Sequence, residues 1–307
     1  MAIALLAPDR DLCGLVKALN AIDPELDLRQ WPDLGDLSQI QFAVCWHPPK
    51  GILAQLPALK AATSLGAGAD ALLSDPTLPK ELNIGRLSGP QLSADMSRWL
   101  VARVFAHWYQ LDRFADQQRD RAWQPWAPSR APHVGILGMG VLGRHVARAF
   151  QALDITVSGW NRSGTGPVDV HMYRGQEELL GLAGQVDYLI CLLPLTAETR
   201  HILNHQLFAA MRPDAVLINV GRGQHLVEAE LIQALNQQQL ALAILDVFDR
   251  EPLPSDHPFW THPSVVVSPH CAALSQDQEV AELILESYQR VKAGQTPLGL
   301  VNRQSGY

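Results

Sequence analysis

Residues 133–163 read HVGILGMGVLGRHVARAFQALDITVSGWNRS, and this stretch decides the fold. An apolar run, Val134–Leu137, leads into glycines at positions 138, 140 and 143. Apolar side chains then recur at helical spacing, and Ile155–Val157 opens a second strand. In this strand–turn–helix–strand context, the three glycines of a GxGxxG pattern permit a tight turn, a close approach to a pyrophosphate and close packing of helix on strand. The stretch therefore predicts a dinucleotide-binding unit.

The end of the second strand indicates which dinucleotide is bound. NAD-binding units carry an Asp or Glu about 20 residues beyond the glycines, where it binds the ribose hydroxyls. Here the strand ends in Trp160-Asn161-Arg162-Ser163, without an acid. A guanidinium suits a 2′-phosphate because it forms paired, charge-assisted hydrogen bonds, although Arg162 could also be an ordinary solvated loop residue. We predict NADP(H) as cofactor, with NAD(H) bound more weakly, and cofactor contacts from Met139, Gly140, Val141, Leu142, Asn161, Arg162 and Ser163.

The composition is that of a globular protein. The chain has 307 residues, enough for two domains, of which 47% are hydrophobic and 18% charged. Its net charge is −7 and its Lys and Arg residues are scattered, so we expect no nucleic-acid partner. We expect no signal peptide, because the N-terminal stretch MAIALLAPDRD is too short and too soon acidic, and no membrane span, because no apolar stretch reaches 18 residues.

The cysteines and histidines indicate neither disulfides nor a metal centre. The four cysteines are dispersed and form no C-x-x-C pair, which predicts free thiols in a reducing cytoplasm. His201 and His205 are four residues apart in a segment with helical spacing, but no third ligand lies near them in the sequence. We therefore predict a cytoplasmic protein without a metal site.

Strands alternate with helices along the whole chain, a pattern typical of parallel sheets with crossover helices. We predict an α/β fold of two Rossmann-like, doubly wound parallel-sheet domains with a cleft between them. Residues 1–92 and 275–307 are expected to form a flavodoxin-like substrate-binding domain, to which a final helix over 278–292 returns. Residues 93–274 are expected to form an NADP-binding Rossmann domain with six strands.

Apolar spacing predicts further helices in the second domain, among them the following two. The segment 90–118 is apolar around much of its circumference, which predicts one long helix buried between domains or subunits. A second helix is predicted over 198–211. The Pro- and Trp-rich segment 121–128 cannot be a regular helix, and exposed aromatic residues of this kind often mark a contact surface.

Three polar side chains follow strands of the second domain at positions that packing does not explain. Arg222, Glu251 and His270 come after the runs AVLINV, ALAILDVF and SVVVS, at the strand ends where such sheets bind ligands. Reduction of a carbonyl requires a hydride and a proton, and an imidazole can donate that proton near neutral pH. Glu251 would fix the tautomer of His270, and Arg222 would bind a substrate carboxylate. Each side chain taken alone could instead be structural.

Strand ends of the first domain carry a second group of candidates. Trp46 follows one strand, and Gly66-Ala67-Gly68 follows another. The backbone N–H groups of such a glycine turn can bind a carboxylate. We expect these residues to lie at the substrate.

Several motifs follow one another in an order and spacing typical of one family. They are Gly138-x-Gly140-x-x-Gly143, Asn219–Gly223, Leu245–Phe248 followed by Glu251–Pro254, and Ser268-Pro269-His270. With them the chain resembles the D-isomer-specific 2-hydroxyacid dehydrogenase family over essentially its whole length. Three further stretches resemble, more narrowly, bacterial reductases of glyoxylate and hydroxypyruvate within that family: Trp46–Pro49, Leu65–Asp70 and Trp160–Ser163.

The resemblance implies a function and a set of site residues. It implies Arg222, Glu251 and His270 as the catalytic set for NADPH-dependent reduction of glyoxylate to glycolate and of hydroxypyruvate to glycerate. The implied substrate-binding residues are Trp46, Leu65, Gly66, Ala67, Gly68, Arg222 and His270. Further expected cofactor contacts are Leu193, Pro194, Thr199, Val220, Gly221, Arg222, Asp246 and His270, with Asp246 bonded to the nicotinamide carboxamide. The resemblance also implies a homodimer formed through residues 90–130.

Two other functions remain open at this point. The chain could be another D-2-hydroxyacid dehydrogenase, acting on a longer 2-oxo acid or on phosphoglycerate. It could also be a non-catalytic module that senses a dinucleotide, although the Arg222–Glu251–His270 set argues for turnover. Cys271 follows the predicted catalytic His270, and we expect it to pack as a small side chain rather than act as a nucleophile.

Overall fold

The computed structural model describes residues 2–307, and the chain divides into two compact units. Unit 1 comprises Met1–Leu92 and Ser275–Tyr307, and unit 2 comprises Ser93–Leu274.

The elements follow one another along the chain in a largely alternating order. The strands of the described residues are β1 (Ala2–Leu6), β2 (Leu28–Gln30), β3 (Ile40–Cys45), β4 (Ala61–Ser64), β5 (Asn83–Arg86), β6 (His133–Leu137), β7 (Thr156–Trp160), β8 (His171–Tyr173), β9 (Tyr188–Cys191), β10 (Val216–Asn219), β11 (Leu242–Leu245) and β12 (Val265–Val267). The α-helices are α1 (Cys13–Ile22), α2 (Asp70–Leu73), α3 (Pro90–Trp108), α4 (Leu111–Asp120), α5 (Val141–Gln151), α6 (Gly175–Ala183), α7 (His205–Ala210), α8 (Glu228–Asn236) and α9 (Asp277–Lys292). Short 3-10 helices lie at Leu37–Gln39, Leu53–Gln55, Gly223–His225 and Pro258–Trp260.

Unit 1 is built on a parallel sheet. Its five described strands have the order β2-β1-β3-β4-β5, and every neighbouring pair is parallel. All residues of the inner strand β1 are buried, as expected for a parallel strand that is covered on both faces. Helix α9 packs its apolar side onto this sheet, because Ile284 lies in one buried cluster with Leu19 of α1 and Phe42 of β3.

Unit 2 contains a larger parallel sheet. Its seven described strands have the order β12-β11-β10-β9-β6-β7-β8, again with parallel neighbours throughout. The chain runs from β6 to one edge through β7 and β8, then returns to β9 and continues to the other edge. Leu217 and Ile218, successive residues of β10, lie in different buried clusters, so both faces of the sheet are covered. The predicted α/β fold with parallel sheets is confirmed in both units.

The helix predicted over 90–118 is two helices. Helix α3 ends at Trp108 and α4 begins at Leu111. Between them Gln110 has a φ of 50°, in the left-handed region, which a right-handed helix cannot contain. The apolar spacing continues on both sides of this break, and for that reason the sequence pattern does not reveal it.

The helix predicted over 198–211 was wrong in its first half. Only His205–Ala210 is helical, and His201 has a φ of 58° in the preceding turn. The side chain of Asn204 accepts hydrogen bonds from the N–H groups of Gln206 and Leu207, which caps the helix and sets its start. His201 and His205 therefore do not share a helix face, and His205 pairs with Glu230 at 3.3 Å.

Strand β8 and helix α6 were not predicted. With β8, the described strands of unit 2 number seven instead of six. Strand β8 has three residues at the edge of the sheet, too few to establish a recognisable alternation. It pairs with β7 through Ser158 and His171.

The four cysteines are free thiols, and two of them are buried. Burial raises the pKa of Cys191 to about 12. Among residues 2–307, none of the helices combines the length and the apolar character that a membrane crossing requires. No group of three or more His, Cys, Asp or Glu side chains in the same part of the chain is arranged to hold a metal ion.

Candidate active site

Parallel pairing places the predicted site loops of unit 2 at one end of its sheet, beyond the carboxyl ends of the strands. The strands β6, β9, β10, β11 and β12 all run in the same direction. The loops that follow them therefore lie at the same end of the sheet, beyond the carboxyl ends of the strands. The chain reverses its order between β6 and β9, and this is the switch point at which doubly wound sheets bind ligands.

The glycine turn after β6 has the geometry that a dinucleotide phosphate needs. Gly138 has a φ of +105°, and a Cβ at Gly143 would lie 2.0 Å from the carbonyl oxygen of Gly138. A Cβ at Gly140 would meet no atom within 4 Å, so the backbone is open to an approaching group there. Gly140 is also the N-cap of α5 and contributes no side chain to cap it, which leaves the first N–H groups of the helix for an anion.

The loop after β7 contains the three residues predicted to discriminate between coenzymes. Arg162 pairs with Glu198 at 3.1 Å, and both side chains are more than half exposed. An ion pair of this kind contributes about 0–1 kcal/mol, so a phosphate can replace the carboxylate at low cost. Asn161 and Ser163 bond within the loop, where the Asn161 amide donates to the carbonyl of Thr165 at 2.6 Å.

His270 and Glu251 are in direct contact. The Nδ1 atom of His270 lies 2.7 Å from the Oε2 atom of Glu251, and the N–H of Phe248 donates to the other carboxylate oxygen at 2.9 Å. Burial raises the pKa of Glu251, but the hydrogen bonds from His270 and Phe248, together with nearby positive charge, lower it further, and the net pKa lies below the ordinary value. An ionised carboxylate can only accept hydrogen bonds, so Nδ1 of His270 carries a proton and Nε2 is the nitrogen left for a substrate.

Arg222 belongs to the same constellation. Its positive charge also lowers the pKa of Glu251, so the guanidinium lies within electrostatic reach of that carboxylate. The loop carrying Arg222 is packed against the loop after β11, because a Cβ at Gly223 would lie 1.8 Å from the carbonyl carbon of Phe248. Unit 2 therefore brings Arg222, Glu251 and His270 together.

Asp246 has a structural role that the sequence did not predict. Its side chain is buried and accepts hydrogen bonds from the hydroxyl of Ser268 at 2.6 Å and from the N–H groups of Cys271 and Ala272 at 3.0 and 2.9 Å. Its carbonyl oxygen accepts from the N–H of His270 at 2.8 Å. These bonds hold the loop on both sides of His270, whose φ of 49° lies in the left-handed region. Asp246 thus positions the imidazole.

The loop after β9 contains the predicted cofactor residues Leu193, Pro194 and Thr199. The hydroxyl of Thr199 donates to the carbonyl of Pro194 at 2.6 Å and accepts from the N–H of Thr196 at 2.8 Å. Leu193 is buried, and Val220 and Gly221 follow the neighbouring strand β10. The loop is closed by its own hydrogen bonds beside the Arg222 loop.

The predicted substrate residues of unit 1 also lie near one another. A Cβ at Gly66 would lie 3.1 Å from the Cζ3 atom of Trp46, so the two strand-end loops touch. The hydroxyl of Ser64 accepts from the N–H of Gly66 at 3.4 Å and donates to the carbonyl of Gly68 at 2.6 Å, closing the turn that also contains Leu65 and Ala67. The guanidinium of Arg10 lies 5.1 Å from the centre of the Trp46 ring.

Comparisons with known proteins match the whole chain to one family. The family model described as "D-isomer specific 2-hydroxyacid dehydrogenase, NAD binding domain" matches residues 101–272. The glyoxylate/hydroxypyruvate reductase A of Serratia proteamaculans is 40% identical over 303 residues, which cover 96% of this chain and 95% of that protein. The protein of the same name from Yersinia enterocolitica is 38% identical and covers 92% of this chain and 93% of its own.

Two solved structures are similar over the full length. A D-isomer specific 2-hydroxyacid dehydrogenase from Xanthobacter autotrophicus, in complex with NADPH and MES, has a TM-score of 0.92 and 34% identity and covers 100% of this chain and 99% of that one. An NADPH-dependent glyoxylate/hydroxypyruvate reductase from Sinorhizobium meliloti, in complex with NADP and sulfate, has a TM-score of 0.92 and 32% identity with the same coverage.

Two glycine variants separate the folding role of the turn from its role in cofactor binding. In Gly143→Ala the new Cβ collides with the carbonyl of Gly138, so the turn must open. We expect a lower Tm, since overpacking of this kind costs about 1–3 kcal/mol, together with loss of NADP binding. In Gly140→Ala the Cβ has room, so the Tm stays unchanged while NADP binding weakens.

Thermal unfolding and fluorescence titration with NADP measure the two effects. Equal losses of Tm in both variants would contradict the assignment, and so would a Gly140→Ala protein that binds NADP as tightly as the parent.

Proposed function

Because this chain belongs to the D-isomer specific 2-hydroxyacid dehydrogenase family, we propose that it reduces small 2-oxo acids with NADPH, glyoxylate and hydroxypyruvate first. The contact of 2.7 Å between His270 and Glu251 carries the proposal. The charge of Arg222 reaches this pair, which lies at the carboxyl ends of the strands together with the glycine turn. The names of the relatives from Serratia and Yersinia support the choice of substrates.

The residues of unit 2 divide the reaction between them. NADPH, when bound, supplies the hydride that reduces the carbonyl carbon. Arg222 binds the substrate carboxylate and polarises the adjacent carbonyl oxygen. His270 donates the proton from Nε2 to that oxygen, and the carboxylate of Glu251 stabilises the protonated ring until the transfer. The 2-hydroxy acid leaves, and the ring takes up a proton from water.

The coenzyme preference is assigned to Arg162. The loop after β7 offers a guanidinium and two short polar side chains at the place where an NAD-binding unit carries an acid. The exposed pair with Glu198 keeps this guanidinium at the surface, where a 2′-phosphate can reach it. The solved relatives that contain NADPH or NADP support this assignment.

The small size of the substrate is assigned to unit 1. Trp46 and the turn from Leu65 to Gly68 form one compact group, in which the indole covers Gly66. We assign to the backbone N–H groups of this turn the binding of an anionic substrate, and to Trp46 the exclusion of long side chains.

A second copy of the chain is the proposed macromolecular partner, through residues 90–130. Trp123 is 95% exposed, and Leu111 is 52% exposed on the neighbouring helix α4. Large exposed apolar side chains in this segment support a protein–protein contact there. The four free thiols support a reducing compartment, the cytoplasm.

Replacement of the proton donor tests the function. In His270→Ala we expect kcat for glyoxylate to fall about 10²- to 10⁴-fold, because the general acid is lost, while the Kd for NADP stays close to that of the parent. Steady-state kinetics and a binding titration measure the two quantities. His205→Ala is the matched control, because His205 is exposed and pairs with Glu230. A parent protein that binds NADP without reducing any 2-oxo acid would instead indicate a dinucleotide sensor.

The pH profile tests the role of Glu251. Reduction weakens as the pH rises, because a deprotonated ring cannot donate a proton. The lowered pKa of Glu251 keeps its carboxylate ionised throughout the neutral range, where it favours the protonated ring. In Glu251→Gln the neutral amide no longer stabilises the protonated ring, and we therefore expect kcat/KM for glyoxylate to fall at least about tenfold across the neutral range. Glu177→Gln, at an exposed position on α6, should keep the parent profile. Identical profiles for Glu251→Gln and the parent would exclude this role.

Coenzyme titrations test the assignment of Arg162. In Arg162→Ala we expect the Kd for NADPH to rise about ten- to a hundredfold, which corresponds to the loss of hydrogen bonds between charged groups, while the Kd for NADH changes little. Arg148→Ala, which removes an exposed arginine from the last turn of α5, is the control. A parent protein that prefers NADH would show the assignment to be wrong.

A further inference from the structure

His225 is a buried histidine that the reaction does not use. It closes the 3-10 helix Gly223–His225, which begins directly after Arg222. Its side chain is 0% exposed, although it is ionisable. A polar ring in such a position requires hydrogen-bond partners for both nitrogens.

Both ring nitrogens of His225 have partners, and the partners determine the tautomer. The backbone N–H of Arg222 donates to Nδ1 at 3.0 Å, so Nδ1 carries no proton. The Nε2 atom lies 3.3 Å from the carbonyl oxygen of Pro194, which can only accept, so Nε2 carries the proton. A single neutral tautomer satisfies both contacts.

The two partners of His225 belong to different loops of the site. The N–H that donates to Nδ1 belongs to Arg222, the residue assigned to the substrate carboxylate. Arg222 has an extended backbone conformation with φ −141° and ψ 150°. The carbonyl on Nε2 belongs to the loop after β9, and it also accepts the hydroxyl of Thr199 at 2.6 Å. Gly221 packs on the ring, because a Cβ there would lie 3.0 Å from Nδ1. The imidazole is thus wedged between the anion-binding loop and the cofactor loop.

We propose that His225 is a positioning residue which sets the backbone of Arg222 and ties it to the cofactor loop at Pro194. The proposal rests on the proposed function for the roles of these two loops. It predicts that the two hydrogen bonds of one ring act on different ligands. The bond to Arg222 governs the 2-oxo acid, and the bond to Pro194 governs the dinucleotide.

Two conservative variants separate these bonds. The amide oxygen of His225→Asn can occupy the place of Nδ1 and keep the acceptor for Arg222, but its side chain is too short to reach Pro194. The amide NH₂ of His225→Gln can occupy the place of Nε2 and keep the donor to Pro194, but it offers no acceptor at the Nδ1 position.

We expect each variant to affect a different ligand. In His225→Gln the KM for glyoxylate should rise about three- to tenfold, the effect of one hydrogen bond, while the Kd for NADP stays near the parent value. In His225→Asn the Kd for NADP should rise by a similar factor while the KM for glyoxylate changes little. A purely structural role predicts instead that both quantities change in the same proportion in each variant, and that result would overturn the proposal.

Hydrogen exchange gives a readout that needs no turnover. The amide of Arg222 should exchange faster in His225→Gln and remain protected in His225→Asn. If the parent protein reduces no 2-oxo acid, the proposed function fails, while exchange and NADP titration still decide the role of His225. Equal protection of the Arg222 amide in the two variants would overturn it.

The parent protein provides a test that does not depend on the folding of a variant. With ¹⁵N-labelled histidine, NMR should assign to His225 a protonated Nε2 and an unprotonated Nδ1. The opposite tautomer, or a doubly protonated ring at neutral pH, would remove the acceptor for the Arg222 N–H and overturn the proposal.

Discussion

Parallel strand pairing is the constraint on which the candidate site depends. In unit 2 all hydrogen-bonded pairs of strands are parallel, so the loops after the strands all lie at the carboxyl end of the sheet. Residues separated by more than a hundred positions, from the glycine turn at Gly138 to His270, therefore lie at the same end of the sheet. With antiparallel pairs, successive loops would lie at opposite ends of the sheet, and the candidate site residues would be separated.

Electrostatic contacts then give the assembled loops their chemistry. Glu251 is held ionised by contacts that outweigh its burial, and its carboxylate accepts a hydrogen bond from Nδ1 of His270. The buried carboxylate of Asp246 spends its hydrogen-bonding capacity on the loop around that imidazole. Arg222 adds the positive charge that an anionic substrate requires. In the proposed reaction His270 is the single proton donor, Glu251 bonds to its ring, Asp246 holds its loop and Arg222 binds the substrate.

The site residues differ in how far the sequence could indicate them. Arg222, Glu251 and His270 stand out because each is polar and follows a run of apolar strand residues. Asp246 stood out only through a family resemblance, which suggested a ligand contact and gave no indication that it holds the loop of His270. The sequence did not indicate a role for His225. Its partners are the backbone N–H of Arg222 and the backbone carbonyl of Pro194, and every residue type other than proline has both groups.

The sequence by itself determined the fold class and the dinucleotide turn, because both depend on local patterns: apolar runs at strand and helix spacing, and glycines at fixed intervals. Only the tertiary structure decided where α3 ends, that α7 begins after Asn204, and which groups bond to the catalytic loops. A left-handed residue such as Gln110 leaves the apolar spacing undisturbed, and hydrogen bonds between distant loops depend on a register that no single segment contains. Local periodicity specifies the elements, whereas the positions of individual donors and acceptors arise when the strands pair.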